Sequence, residues 1–242
     1  LSGDPYVTHP VAVAQILAEL HLDAGSIKAA LLHDVIEDTP ITLDQLSAEF
    51  GEDVALLVDG VSKLDHLRFD SAVEAQAESF RKMLLAMVRD LRVILVKLAD
   101  RTHNMRTLAA LPLAKQRRVA RETLDIYAPI ANRLGMSKLK NELEDLAFKY
   151  LEPKAYEGLR QRVESRRRAT QGMIEQLTRT IAAKLADAQV PIIHIDGRIK
   201  RLFSIHQKLK RQKIDLEQVY DLVALRIVTQ SIRDCYAALG II

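Results

Sequence analysis

The stretch Ala29-Ala30-Leu31-Leu32-His33-Asp34-Val35-Ile36-Glu37-Asp38-Thr39 sets apolar turns directly against a knot of polar groups. Read as a helix, it projects the adjacent His33 and Asp34 about 100° apart, close enough to converge on one metal ion. Glu37 lies one turn after His33, and Asp38 one turn after Asp34. Burying that much negative charge without a cation costs several kcal/mol. A His-Asp dipeptide alone is common, and the same residues also read as an exposed acidic helix end.

Two distant pieces bear on that choice. His9 stands at the start of a first helix, in Thr8-His9-Pro10. Asp100 ends the apolar run Val93–Ala99, which reads as a buried helix delivering that carboxylate into the interior. His9, His33, Asp34 and Asp100 together offer two imidazoles and two carboxylates. That mixture suits Mn²⁺, Fe²⁺ or Zn²⁺ better than Ca²⁺ or Mg²⁺, which take all-oxygen shells. Open coordination positions then hold a water and a substrate phosphate oxygen. Asp100, Asn104 and Thr107 fall at i, i+4 and i+7, so an amide and a hydroxyl share the carboxylate's helix face and suit a base or ribose. Helix capping or surface polarity is the other reading of Asn104 and Thr107. His103 reads as a satisfied core histidine in preference to a residue standing behind the metal ligands. His21, His66, His194 and His206 carry no spacing signal and read as surface or packing residues. Lys97, Arg101 and Arg106 suit phosphate contacts and, equally, ion pairs.

The surroundings are helical. Val13, Ile16, Leu17 and Leu20 form an amphipathic stripe, with Pro10 in the first turn. The spacing predicts a second helix from an N-cap at Ser26 through Asp38, a short one over 42–50 ended by Gly51, and a stripe at Phe80, Met83, Leu84 and Met87. Further helices are predicted over roughly 115–134 and 137–150, split by Gly135. Past Glu152-Pro153 a charged helical pattern covers 156–188. The period then changes: 190–195 reads as a strand, Asp196-Gly197 as a turn, Ile199 to Leu209 as a helix and 220–229 as a strand. This tail is too short for a finished domain.

The chain has 242 residues, 48% apolar and 28% charged, so it can bury a sizeable core. Its formal net charge is only +3, which argues against wrapped DNA. The single cysteine, Cys235, excludes an intrachain disulfide and a cysteine-based zinc site and fits a reducing, cytoplasmic home. Apolar runs fall far short of the ~20 residues of a membrane span, and Leu1-Ser2-Gly3-Asp4 is no signal peptide. The missing initiator Met and the abrupt stop at Ile241-Ile242 read as a fragment.

Several long motifs resemble the Rel/SpoT family of alarmone enzymes, with wording closest to the proteobacterial SpoT branch. They are Ser2-Gly3-Asp4-Pro5-Tyr6 leading to His9-Pro10; Ala30 through Thr39; Gly60-Val61-Ser62-Lys63-Leu64; Glu74-Ala75-Gln76-Ala77-Glu78; Lys97 through Leu108; and Ile126-Tyr127-Ala128-Pro129. The resemblance implies a mainly α fold. An all-helical HD-type phosphohydrolase domain would span 1–150, a helical connector 151–188, and the truncated start of an α/β nucleotidyltransferase-like synthetase domain 189–242. It implies removal of the 3′-pyrophosphate from guanosine tetra- and pentaphosphate, the alarmone degradation of the stringent response, with Mn²⁺ as cofactor. By motif position His9, His33, Asp34 and Asp100 look like the metal ligands. Glu37 and Asp38 look like the acidic pair that activates the attacking water; on chemical grounds Glu37 is assigned as its proton acceptor and Asp38 as its orienting partner. Ser2, Asn104 and Thr107 look like nucleotide contacts; the family's Arg just before Leu1 is absent.

In the tail, Arg198, Lys200, Ser204 and Lys208 resemble the family's phosphate-gripping segment. Asp221 and Arg226 lie on a segment similar to the strand carrying a Mg²⁺-binding Asp. Read locally, Arg198, Lys200 and Lys208 are equally a solvated helix face. Arg201 and Phe203 stand where the family usually has His and Tyr. The second catalytic acid falls beyond Ile242, so Mg²⁺-dependent synthesis is expected only of an intact, bifunctional protein. No DNA or membrane partner is implied, and regulatory protein contacts would use further C-terminal regions. The rival readings are an HD phosphohydrolase of another nucleotide and a helical regulatory module with a vestigial metal site.

Overall fold

The computed structural model describes residue 3 and residues 5–65, 90–219 and 221–242, excepting the side chains of Asp65, Arg198 and Ile199. Helix α1 (Thr8–Glu19) buries Val13, Ile16 and Leu17, with Leu20 packed part-buried just past its end. Pro10 occupies its first turn, where a missing N–H costs nothing.

Helix α2 (Ala24–Leu32) starts earlier than the sequence suggests. Its cap is Asp23, not Ser26: the Asp23 carboxylate accepts from the Ser26 amide at 3.0 Å and from the Ser26 hydroxyl at 2.8 Å. Ser26 is wholly buried, so its hydroxyl needs that partner. These two bonds, assisted by Arg92, hold the Asp23 carboxyl below its ordinary value. A depressed carboxyl stabilises the fold above the unfolded value of about 4 and loses that contribution as pH falls through its folded value. Asp23→Ala is therefore expected to cost about 1 kcal/mol at neutral pH. The gap to the parent chain should close as urea titrations move below about pH 4.

The helix predicted to run on to Asp38 stops at Leu32 and resumes as the single turn α3 (Val35–Asp38). The interruption falls on His33 and Asp34. The His33 ring donates from Nδ1 to the Ala30 carbonyl at 2.7 Å, competing for the acceptor that the next helical amide would use. Asp34, at φ −96° and ψ −4°, sits at the edge of the helical region.

Helix α4 (Leu43–Phe50) has a reciprocal capping box between Thr42 and Gln45 and ends at Gly51, whose φ of +89° favours glycine. Helix α5 (Glu52–Asp65) then approaches α6 (Leu91–Arg106) closely. A Cβ on Gly60 would lie 2.8 Å from the Val93 Cγ2 atom. On α6, Val93, Ile94, Val96, Leu98, Ala99 and Asp100 are all buried, as the apolar run predicts. Helices α1, α2 and α5 pack on α6, as does α9 (Ser137–Leu151). Between them lie a 3₁₀ turn at Leu108–Ala110, α7 (Leu113–Glu122) and α8 (Ala128–Arg133). The helix predicted over 115–134 is thus split by a π-helical turn at Thr123–Tyr127. Pro129 supplies the reason, having no N–H to give and a ring that crowds the carbonyl of Asp125. Gly135, at φ +73°, separates α8 from α9.

Contacts divide the chain into two units, Leu1–Leu151 and Glu152–Ile242. The second contains α10 (Pro153–Asp187), β1 (Ile192–Ile199), α11 (Leu202–Gln212), β2 (Val223–Thr229) and α12 (Ile232–Ile241). Strands β1 and β2 pair antiparallel, and their inner residues Ile192, Ile195, Leu225 and Ile227 pack with Ile181 and Leu185 of α10. Asp196-Gly197 is not a turn: the strand runs through it to Ile199, which the sequence had suggested as helix. Asp196 pairs opposite Arg226 and Gly197 opposite Leu225. His66, the segment 74–78 and the stripe Phe80, Met83, Leu84 and Met87 lie outside the described residues. Among the described residues no helix is long and apolar enough to cross a membrane.

Candidate metal centre and adjoining cleft

Three elements converge beside the middle of α6. From α1 comes His9, half-buried; from the break between α2 and α3 come His33 and Asp34; from the middle of α6 comes Asp100. His33 is 1% exposed and Asp100 4% exposed. One ligand atom each from His9, His33 and Asp100 lies within 4.8 Å of the others. The Nε2 atoms of the two histidines are 3.3 Å apart, and His9 Nε2 is 3.3 Å from Asp100 Oδ1. Asp34 Oδ1 stands 3.2 Å from His33 Nε2, and its Oδ2 is 3.8 Å from His9 Nε2.

Each donor is held from behind. Lys97, itself buried, gives its ammonium to Asp100 Oδ2 at 2.9 Å, and the Asn104 amide donates to Oδ1 at 2.6 Å. Burial pushes the Asp100 carboxyl up, but Lys97, His9 and His33 outweigh it and hold the group well below the usual carboxylate range. The Tyr6 hydroxyl donates to Asp34 Oδ2. Burial and the neighbouring carboxylates of Asp34 and Asp38 push the Tyr6 phenol far above its ordinary value, so it stays a donor. His9 Nδ1 meets His103 Nδ1 at 2.7 Å.

The chemistry of this donor set fits a divalent transition metal. Imidazole nitrogens and carboxylate oxygens face a common point, two of them nearly inaccessible to water, with spacing that a cation would hold together. Packing the same carboxylates and rings together without a cation leaves acceptors facing acceptors.

Beside the ring runs a cleft of about 410 Å³, lined by Lys97, Asp100, Asn104, Thr107, Leu108 and Leu111 among others. Asn104 and Thr107 share the face that their spacing indicates. Thr107 is also the residue closing α6, its hydroxyl donating to the His103 carbonyl at 3.0 Å. Glu37 and Asp38 are both exposed on α3, Asp38 adding to the negative charge around the Tyr6 hydroxyl. Ser2 lies outside the described residues.

Other expectations separate clearly. His103 is no core histidine: it is half-buried and bonded to His9. Arg101 stacks over the Tyr127 ring at 4.1 Å and pairs with Glu122 at 3.0 Å, and Arg106 pairs with Glu142 at 2.6 Å. Tyr6 carried a legible signal, three residues before His9 at a helix start, that spacing arguments about the acids passed over. In the second unit Asp221 receives Lys200 at 2.7 Å and Lys208 at 2.6 Å, and together they pull its carboxyl down to about 2. Arg226 is not with them; it pairs across the strands with Asp196 at 2.8 Å. Ser204 is half-buried on α11, and the Arg198 side chain is outside the described set.

A histidine–aspartate cluster carried on a helical scaffold is the hallmark of HD-type metal sites. The HD domain family model matches residues 1–137, more than half of the chain, and the chain belongs to that family. A second model, described as a region found in RelA / SpoT proteins, matches residues 197–242. A guanosine-3′,5′-bis(diphosphate) 3′-pyrophosphohydrolase of Haemophilus influenzae is 52% identical over 99% of this chain and 35% of its own length. The bifunctional (p)ppGpp synthase/hydrolase SpoT of Escherichia coli K12 is 50% identical over 99% of this chain and 34% of its own. A GTP pyrophosphokinase of Myxococcus xanthus is 49% identical over the whole chain and 32% of its own. The chain thus spans about a third of the length of the curated relatives it matches, and the motif resemblance to Rel/SpoT enzymes extends along all of it.

Proposed function

We propose that this chain is a metal-dependent hydrolase that removes the 3′-pyrophosphate of guanosine tetra- or pentaphosphate, giving GDP or GTP and pyrophosphate. The observation that carries the reading is the ring of His9, His33 and Asp100, with Asp34 beside it, whose Asp100 also lines a cleft of nucleotide-compatible size and chemistry. The names of the relatives support the substrate.

His9, His33, Asp34 and Asp100 would hold the cation, taken here as Mn²⁺. When bound, the cation supplies positive charge against the phosphate oxygens and makes water easier to deprotonate. Lys97 and Asn104 fix the Asp100 carboxylate so that it needs no reorganisation during reaction. Asn104 and Thr107 contact the nucleoside along the cleft, with Ser2 as a third contact. Glu37, whose carboxylate makes no hydrogen bond or ion pair among the described residues, takes the proton from the attacking water. Asp38, tied to Tyr6, orients that water.

Asp221, Lys200 and Lys208, with Arg198 and Ser204, would belong to a synthetase site, whereas Arg226 is held away from that cluster by Asp196. A cytoplasmic home goes with this reading, and the free thiol of Cys235 fits it.

The test is hydrolysis of guanosine tetraphosphate by the purified chain. With Mn²⁺ added, GDP and pyrophosphate should appear together. Chelation should stop release and renewed Mn²⁺ restore it, while GTP and ATP are left intact. A folded, Mn²⁺-loaded chain that releases nothing from guanosine tetraphosphate would refute the reading.

A further inference from the structure

The two histidines of the ring are oriented by different means. His33 donates a hydrogen bond from Nδ1 to a backbone carbonyl, that of Ala30, at 2.7 Å. His9 instead meets another imidazole, Nδ1 to Nδ1, at 2.7 Å, with ring centroids 4.8 Å apart. Two ring nitrogens at that separation share one proton: one must donate and the other accept. If His103 donates, the His9 Nδ1 is the bare nitrogen, its Nε2 carries hydrogen, and that hydrogen points among Asp34, Asp100 and the His33 ring. If His9 donates, its Nε2 carries a lone pair facing the same point as His33 Nε2 and Asp100 Oδ1. Only the second arrangement makes His9 a ligand.

We infer that His103 is a positioning residue that accepts a hydrogen bond from His9 Nδ1 and so holds His9 in the tautomer whose Nε2 can bind a cation. The inference rests on the metal-site reading above. A free imidazole has no strong bias toward this tautomer, so a hydrogen-bond acceptor behind the ring must supply it. His103 sits one helical turn past Asp100 on α6 and shares that helix with Asn104, which steadies Asp100 itself. One turn of α6 thus aligns two ligands from two directions: a carboxylate through an amide, and a neighbouring helix's histidine through a ring.

Two variants separate positioning from packing. His103→Leu fills comparable space and accepts nothing. His103→Asn retains an acceptor oxygen near the Nδ1 position. In the metal-free chain, nitrogen-15 spectra of His9 should show hydrogen on Nδ1 for the parent and for His103→Asn, and a shift toward hydrogen on Nε2 for His103→Leu. Calorimetric titration with Mn²⁺ alone should show His103→Leu binding about tenfold to a hundredfold more weakly, with His103→Asn close to the parent. Circular dichroism confirms that each variant is folded. The inference is overturned if parent His9 carries its proton on Nε2. It is equally overturned if folded His103→Leu keeps both the Nδ1 tautomer and full Mn²⁺ affinity, or if both variants weaken alike. Failure of the parent itself to bind Mn²⁺ would refute the metal reading instead, while the tautomer measurement still decides the role of His103.

Discussion

Asp100→Asn is expected to slow Mn²⁺-dependent release of GDP from guanosine tetraphosphate by at least about a thousandfold, equivalent to ~4 kcal/mol of lost transition-state stabilisation. Asparagine matches aspartate in shape, so the loss is chemical. Both carboxylate oxygens are already acceptors: Oδ2 takes the Lys97 ammonium and Oδ1 takes the Asn104 amide while facing both histidines. An asparagine amide has one acceptor and one donor end. Either orientation sets an NH₂ group against a donor in a nearly dry site, and the negative charge that complements Lys97 and a cation is gone. Leaving such a pair mismatched costs about 1–3 kcal/mol of stability as well. Initial rates and urea midpoints measure the two effects separately. A variant within tenfold of the parent rate would remove Asp100 from the proposed ligand set.

Gly60→Leu is expected to be the most damaging substitution away from the site, costing about 3 kcal/mol and lowering the melting temperature by roughly 6–12 °C. Replacing a helical glycine by a better helix former ordinarily gains up to about 1 kcal/mol. Here the gain is outweighed, because a Cβ alone would meet Val93 Cγ2 at 2.8 Å and Cγ1 at 3.4 Å. Valine in a helix has essentially one rotamer, and Val93 is only 4% exposed, so it cannot swing aside. The helices must separate. Thermal melts should show the loss, and trimming the opposing side chain with Val93→Ala should recover part of it. Additive losses in the double variant would mean that the two positions do not press on each other.

Much of this was legible in the sequence where burial is one-sided or complete. The α1 stripe reads directly, and the nearly all-apolar run Val93–Ala99 announces a largely buried helix with Asp100 at the end of that run. The convergence of His9, His33 and Asp100 also follows the pattern of the sequence, their ligand atoms lying within 4.8 Å of one another. What stayed hidden was set by tertiary contact. Nothing at His33-Asp34 is a helix breaker by propensity; the helix is interrupted where a ring nitrogen competes for the Ala30 carbonyl. Asp196-Gly197 has the composition of a turn, but the cross-strand Arg226 engages Asp196, and a Cβ on Gly197 would stand 3.4 Å from Ile174. Strand pairing overrides a dipeptide preference there. His103 was read as core because its partner, His9, is far away in sequence. Arg226 was placed with Asp221 by motif, yet its strand register sends it to Asp196.

His9, His33 and Asp100 belong to segments separated by long stretches of chain, and no local fluctuation of the unfolded polypeptide gathers them. They become neighbours only after α1 and α2 have docked on α6. An ion that engages all three at once therefore recognises the native chain and ignores the denatured one. Its free concentration becomes a term in the folding equilibrium, about 2.7 kcal/mol at a hundredfold excess over its dissociation constant. The helices that assemble the ring are, by the same mass action, clasped by whatever the ring holds.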